Sequence, residues 1–96
     1  MKFYVGRSAQ QCDVIVNDDS VSRVHLQVEA YSSQAITLQD QNSSYGSFYW
    51  HEQQQAWLPF QSIDLSVNSY IMIGNAKLRV MELLIAYQVQ RRNQRV

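Results

Sequence analysis

Residues 21–30, Val21-Ser22-Arg23-Val24-His25-Leu26-Gln27-Val28-Glu29-Ala30, run from a polar turn into an alternating stretch. Leu26, Val28 and Ala30 alternate with polar residues, and a period of two puts them on one face, which predicts a half-buried strand with one wet side. Ser22 and Arg23 stand where that strand begins. Arginine offers a planar fork of donors that stays charged at any physiological pH and matches phosphate oxygens, and serine adds a hydroxyl. The same join of strand and polar turn occurs on either side. Upstream, Lys2-Phe3-Tyr4-Val5 leads into Gly6-Arg7; downstream, Ala35-Ile36-Thr37-Leu38-Gln39-Asp40 leads through Gln41 and Asn42 to Ser43-Ser44-Tyr45-Gly46. Gly6 and Gly46, lacking a Cβ, let the backbone turn tightly or approach a ligand closely. Three such turns meeting at one end of a β-sandwich would form a small polar site on a rigid scaffold.

Further short segments continue the pattern: Asp13-Val14-Ile15-Val16, Ser47-Phe48-Tyr49-Trp50, Ala56-Trp57-Leu58, Ile63-Asp64-Leu65, Tyr70-Ile71-Met72-Ile73 and Ala76 to Leu83. Polar turns such as Asn17-Asp18-Asp19-Ser20 and Gly74-Asn75 separate them. Closely spaced strands with no helix before the C-terminus predict an all-β, antiparallel sandwich or barrel. The end is two-sided. From Met81 to Val96 the pattern fits either a long last strand with a frayed tail or a strand passing into a short helix, with Leu84, Tyr87 and Arg91 at helical spacing. The expected division is a sandwich domain over 1–87 and a polar, Arg-rich tail over 88–96.

The chain's 96 residues, 46% of them hydrophobic, suit one domain with a modest core. Lys+Arg and Asp+Glu balance at 8 each, so no net field attracts nucleic acid or an anionic membrane, and anion recognition has to be local. The longest apolar run, Leu83-Leu84-Ile85-Ala86, is too short to span a bilayer, and the N-terminus has no signal-peptide pattern, so the expectation is a cytoplasmic protein. The single Cys12 rules out an internal disulfide, and no Cys/His spacing indicates a metal or other cofactor.

The ordered set Gly6-Arg7, Val21-Ser22-Arg23-x-His25, Asp40-x-x-Ser43-Ser44-x-Gly46 and Ile71-x-Ile73-Gly74 resembles the forkhead-associated (FHA) domains, which bind phosphothreonine peptides on the loops of a β-sandwich. The resemblance spans most of the chain. It implies an FHA/SMAD-like sandwich of about eleven short strands, with the binding loops at one end. It further implies that Arg7 contacts the phosphate or the adjacent peptide backbone, that Ser22 hydrogen-bonds the phosphate and that Arg23 makes a second contact. Ser44 would line the pocket that meets the phosphothreonine, with Tyr45 beside it, while Gly6, His25 and Gly46 hold the loops. The implied partner is a threonine-phosphorylated protein or peptide, with a Ser/Thr kinase upstream and neither nucleic acid nor membrane involved.

Two departures from the family pattern stand out. Tyr45 occupies the place where the family nearly always has an Asn whose amide holds the peptide main chain. Losing that donor and acceptor leaves a peptide group unpaired, at about 1–3 kcal/mol. After Phe48, the family's strand and Asn-Gly turn give way to a longer hairpin with a Gln-rich tip, placing Trp50 and Trp57 on opposite arms, where they can pair.

A catalytic reading would recruit Ser22, His25 and Asp40, but there is no nucleophile elbow, no Gly-rich phosphate loop and no metal cluster, so no enzyme is expected. Two binding readings remain: a phosphothreonine reader acting as a signalling adaptor, and a phosphate-independent interaction scaffold with a degenerate site at Tyr45. The intact Arg7-Ser22-Arg23 set favours the first.

Overall fold

The computed structural model describes residues 1–93. Nine strands and one helix follow in chain order among those residues: β1 Lys2–Gly6, β2 Val14–Ile15, β3 Leu26–Ser32, β4 Ala35–Asp40, β5 Ser47–His51, β6 Ala56–Pro59, β7 Ser62–Leu65, β8 Tyr70–Ile73, β9 Ala76–Arg79 and α1 Val80–Asn93. They build a sandwich of a five-stranded sheet, ordered β2-β1-β3-β4-β7, and a four-stranded sheet, ordered β6-β5-β8-β9.

The period-two reading explains the core. Phe3 and Val5 of β1, Leu26 and Val28 of β3, and Ile36 and Leu38 of β4 turn to one face and meet Ile71 and Ile73 of β8 in a single cluster. Each is essentially inaccessible to solvent. Burying such a side chain contributes about 1.5–3 kcal/mol relative to exposing it, which makes the register of these strands costly to shift.

Three expectations need correction. The strand count is nine among the described residues, against about eleven. Each segment read as a strand contains one, but the Ala76–Leu83 segment is strand only to Arg79 and helix from Val80, and β2 has two residues, the loop after it bonding within itself, Asp18 N–H to the Val16 carbonyl and Val21 N–H to the Asp18 carbonyl. The sandwich is also not wholly antiparallel, since β1 and β2 pair in parallel, Val5 opposite Val14 and Gly6 opposite Ile15. Asp13 starts that pairing by accepting the Tyr4 N–H at its carboxylate (2.9 Å) and donating its own N–H to the Tyr4 carbonyl.

The third correction is at the C-terminus, where β9 stops at Arg79 and a helix follows, which selects the second of the two sequence readings. The helix is longer than expected and runs through the 87/88 boundary, so the Arg-rich segment starts inside α1; residues 94–96 of that segment lie outside the described residues. Its first N–H groups, which an isolated helix leaves unpaired, donate to loop carbonyls: Val80 to Ser69 and Met81 to Val67, each at 3.0 Å. Val80 and Leu83 enter the core, and the Tyr87 ring stacks on Phe3 with centroids 4.3 Å apart. Glu82 in the first turn and Arg91 and Arg92 in the last suit the helix dipole.

Candidate functional site

The alternation that buries Ile36 and Leu38 also turns Asp40, the last residue of β4, inward. A carboxylate there has to be hydrogen-bonded, because burying it bare costs several kcal/mol. The next turn supplies the donors. Ser43 Oγ–H and Ser47 Oγ–H each donate to Oδ1 at 2.6 Å, and the Ser43 N–H donates to Oδ2 at 3.0 Å. Burial pushes the carboxyl pKa up, but these bonds, with a smaller contribution from His25, outweigh it and hold Asp40 below its ordinary range. Ser43 Oγ in turn accepts the Gly46 N–H at 3.0 Å, so the loop from Gln41 to Gly46 folds around one carboxylate. Gly46 closes that loop at a φ of 88°, a left-handed backbone that disfavours any side chain.

His25, fully buried at the foot of β3, joins this loop to the one carrying Ser22. Its Nδ1 accepts the Ser22 N–H at 3.0 Å, so Nε2 carries the proton and donates to the Gly46 carbonyl at 2.9 Å. Burial lowers the imidazole pKa, against the opposing pull of the Gly46 carbonyl and Asp40, so the ring stays neutral in its staple role. Because His25 meets the Ser22 main chain and not the hydroxyl, the two do not form a base–nucleophile pair.

Ser22 Oγ points instead across the gap and accepts the Ser44 N–H at 3.0 Å. With an acceptor position so engaged, the hydroxyl hydrogen is left to donate to an incoming acceptor. Arg7 comes from the third turn. Its main-chain N–H donates to the Ser22 carbonyl (3.0 Å) and its Nε to the Val21 carbonyl (3.1 Å), which pins the guanidinium stem beside the Ser22 loop and leaves the terminal nitrogens of the fork. The Arg23 carbonyl accepts the Ser8 N–H (3.1 Å) and the Cys12 thiol (3.0 Å), while the Arg23 side chain faces solvent. Burial raises the pKa of that Cys12 thiol, consistent with a packing group and not a reactive one. Neither arginine has a carboxylate within ion-pair distance among the described residues, where the sole such contact is His25 to Asp40 at 3.8 Å.

The structure therefore brings Arg7, Ser22 and Ser44 together directly, puts Arg23 on the same loop, and supports them through His25 and Gly46. Gly6 has a different role from a turn residue. A Cβ there would sit 2.2 Å from the Arg23 carbonyl oxygen, so glycine is demanded by close approach of the two loops. Tyr45, 66% exposed, projects from the tip between Ser44 and Gly46. Sequence reading did not assign roles to Asp40, Ser43 and Ser47; the Asp-x-x-Ser spacing into a turn was the available signal, since Asp side chains favour bonding to nearby turn backbone. Among the described residues, no group of three or more His, Cys, Asp or Glu is placed to hold a metal, and no helix is long and apolar enough to cross a membrane.

This framework has close counterparts among solved structures. The FhaA FHA domain, complexed with the intracellular domain of Rv3910, is 26% identical with a TM-score of 0.65, over 79% of this chain and 75% of that one. An FHA domain solved in a structural and functional analysis of phosphothreonine-dependent FHA domain interactions is 27% identical with a TM-score of 0.65, over 81% and 73%. The FHA domain of CT664 from Chlamydia trachomatis, at 21% identity and a TM-score of 0.66 over 80% and 72%, shares the fold. No curated protein matches the chain. The family model for the FHA domain matches residues 3–74, which takes in all three loops, and the chain belongs to the FHA domain family.

Proposed function

We propose that the loop end binds threonine-phosphorylated peptides as an interaction module and has no catalytic role. The observation that carries this reading is the Ser22–Ser44 bond at 3.0 Å, which joins two loops so that a hydroxyl donor is left beside the Arg7 and Arg23 cations, neither of which has an ion-pair partner among the described residues. A phosphate of charge about −2 with three acceptor oxygens matches that set. Charge-assisted bonds of about 1.5–3 kcal/mol each suffice for a micromolar complex once binding costs are deducted. Two FHA domains, at 26% and 27% identity, lend support, one complexed with the intracellular domain of Rv3910 and the other from work on phosphothreonine-dependent interactions. On this reading a Ser/Thr kinase acts upstream and the chain is a cytoplasmic signalling adaptor.

Calorimetry with an oriented phosphothreonine library, repeated with phosphoserine and unphosphorylated versions, tests the proposal. Binding that needs the phosphate, prefers threonine and disappears in Arg7→Ala supports it. One observation favours a second reading: the exposed Tyr45 replaces the peptide-holding amide and leaves the main chain of a bound peptide less well held. Absence of phosphate-dependent binding in the wild type would hand the surface to the scaffold reading.

A further inference from the structure

The outer face of the four-stranded sheet carries large aromatic side chains that the loop end does not use. Register puts Trp50 directly opposite Trp57, and Tyr70 opposite Arg79, on strands that run β6-β5-β8-β9. None of Trp50, Trp57 or Tyr70 belongs to the core cluster or packs against it. The two indoles meet edge to face at 5.3 Å. Beside them the Arg79 guanidinium lies 4.7 Å from the Tyr70 ring centroid and donates to the Tyr70 hydroxyl. These side chains line one open groove of about 420 Å³ that crosses all four strands.

Charge selects what fits. Lys77 and Arg79 are two residues apart on β9, hence on one face, and both line the groove. Neither has a carboxylate within ion-pair distance among the described residues, and Glu82, which bounds the groove from the first turn of α1, pairs with neither. The Arg79 fork is already oriented by Tyr70, so it loses little freedom on meeting a carboxylate.

Spacing sets the ligand's pattern. The midpoint of the β6–β5 pair and strand β9 are two and a half strand intervals apart, which at about 4.8 Å per interval is roughly 12 Å. An extended chain covers that in about four residues at about 3.3 Å each, and side chains four apart share a face.

We propose that this face docks an extended, acidic segment of a partner protein, with an apolar or aromatic anchor on Trp50 and Trp57 and a carboxylate four residues away on Arg79 and Lys77. None of the residues that line the groove belongs to the three turns of the loop end, so this contact is separate from it.

The test uses the full chain and a fluorescein-labelled, unphosphorylated peptide whose one phenylalanine is followed at the fourth position by glutamate. Binding read by polarisation, with both indole N–H resonances shifting in the ¹⁵N spectrum, is expected. Trp57→Ala and Lys77→Glu should each weaken it about tenfold, the size of a modest hot spot. Lys77 is exposed, so its reversal tests the charge argument even if the tryptophan variant folds poorly. Equal affinity for a peptide with lysine in place of that glutamate overturns the proposal, as does the absence of indole shifts at millimolar peptide. Indole shifts that follow protein concentration alone, with dimer in sedimentation, would assign the face to a second copy; tighter binding of oligouridylate would assign it to single-stranded RNA. Because the peptide carries no phosphate, failure here leaves the loop-end reading intact.

Discussion

Ser22→Ala separates two roles of one hydroxyl. In the folded chain Ser22 Oγ accepts the Ser44 N–H at 3.0 Å, and its hydrogen is available to a phosphate oxygen. Removing the oxygen therefore acts on loop order and on ligand at once, with different sizes. Ser44 is exposed, so water replaces the lost acceptor and the folding cost is that of one net hydrogen bond, about 0.5–1 kcal/mol. For a domain of this length that lowers Tm by roughly 2–8 °C. The bond to a dianionic phosphate is worth about 1.5–3 kcal/mol, equivalent to a loss of roughly 10- to 150-fold in affinity. Differential scanning calorimetry gives the first quantity and isothermal titration with a phosphothreonine peptide the second, both on the same preparation. A fully folded Ser22→Ala whose affinity falls less than threefold would refute the assignment of Ser22 as a phosphate donor. A Tm loss much beyond that range would mean the Ser22–Ser44 contact organises more of the loop end than one bond implies.

Three further outcomes are expected. His25 has a folded pKa below its ordinary 6.5 and Asp40 one below its ordinary 3.8, so each binds protons more readily when unfolded. Their contribution to stability is complete above 6.5, declines as pH falls from there through the folded pKa of His25, and declines again below 3.8 as Asp40 protonates. Denaturant melts from pH 8 to 3 would show this, and an NMR titration midpoint for His25 above 6.5 would contradict it. Gly6→Ala should cost at least about 2 kcal/mol, because the new Cβ falls 2.2 Å from backbone that cannot give way as a side chain would; an unchanged urea midpoint would argue against this. Tyr45→Asn should tighten phosphopeptide binding about tenfold by restoring a main-chain partner; unchanged titration isotherms would mean Tyr45 makes contacts of its own.

Much of the loop end is legible in the sequence, because turn chemistry is local. Gly-Arg, Ser-Arg-x-His and Ser-Ser-x-Gly each announce a turn with its polar payload, and the two tryptophans of a hairpin announce their own pairing, seen at 5.3 Å. The reason for Gly6 was less accessible. It is set by a carbonyl seventeen residues away, and nothing in the neighbouring residues of Gly6 encodes that approach. The ending was similarly open: Val80 to Tyr87 has an apolar content that suits a strand or a helix, and what decides is the Phe3 ring on which Tyr87 stacks, together with the Ser69 and Val67 carbonyls that receive the first helical N–H groups.

Alternation along the chain was thus enough to mark where most strands lie, and residue type to mark three polar turns with phosphate-compatible chemistry, since both are properties of neighbours. Which of those turns touch, and which nitrogen of His25 holds the proton, depended on groups distant in sequence, Ser44 against Ser22 and the Gly46 carbonyl against His25. A hydrogen bond is made by whatever the fold brings within about 3 Å. Only the closed sandwich sets Ser22 against Ser44, and aligns Trp50, Tyr70 and Arg79 across three strands.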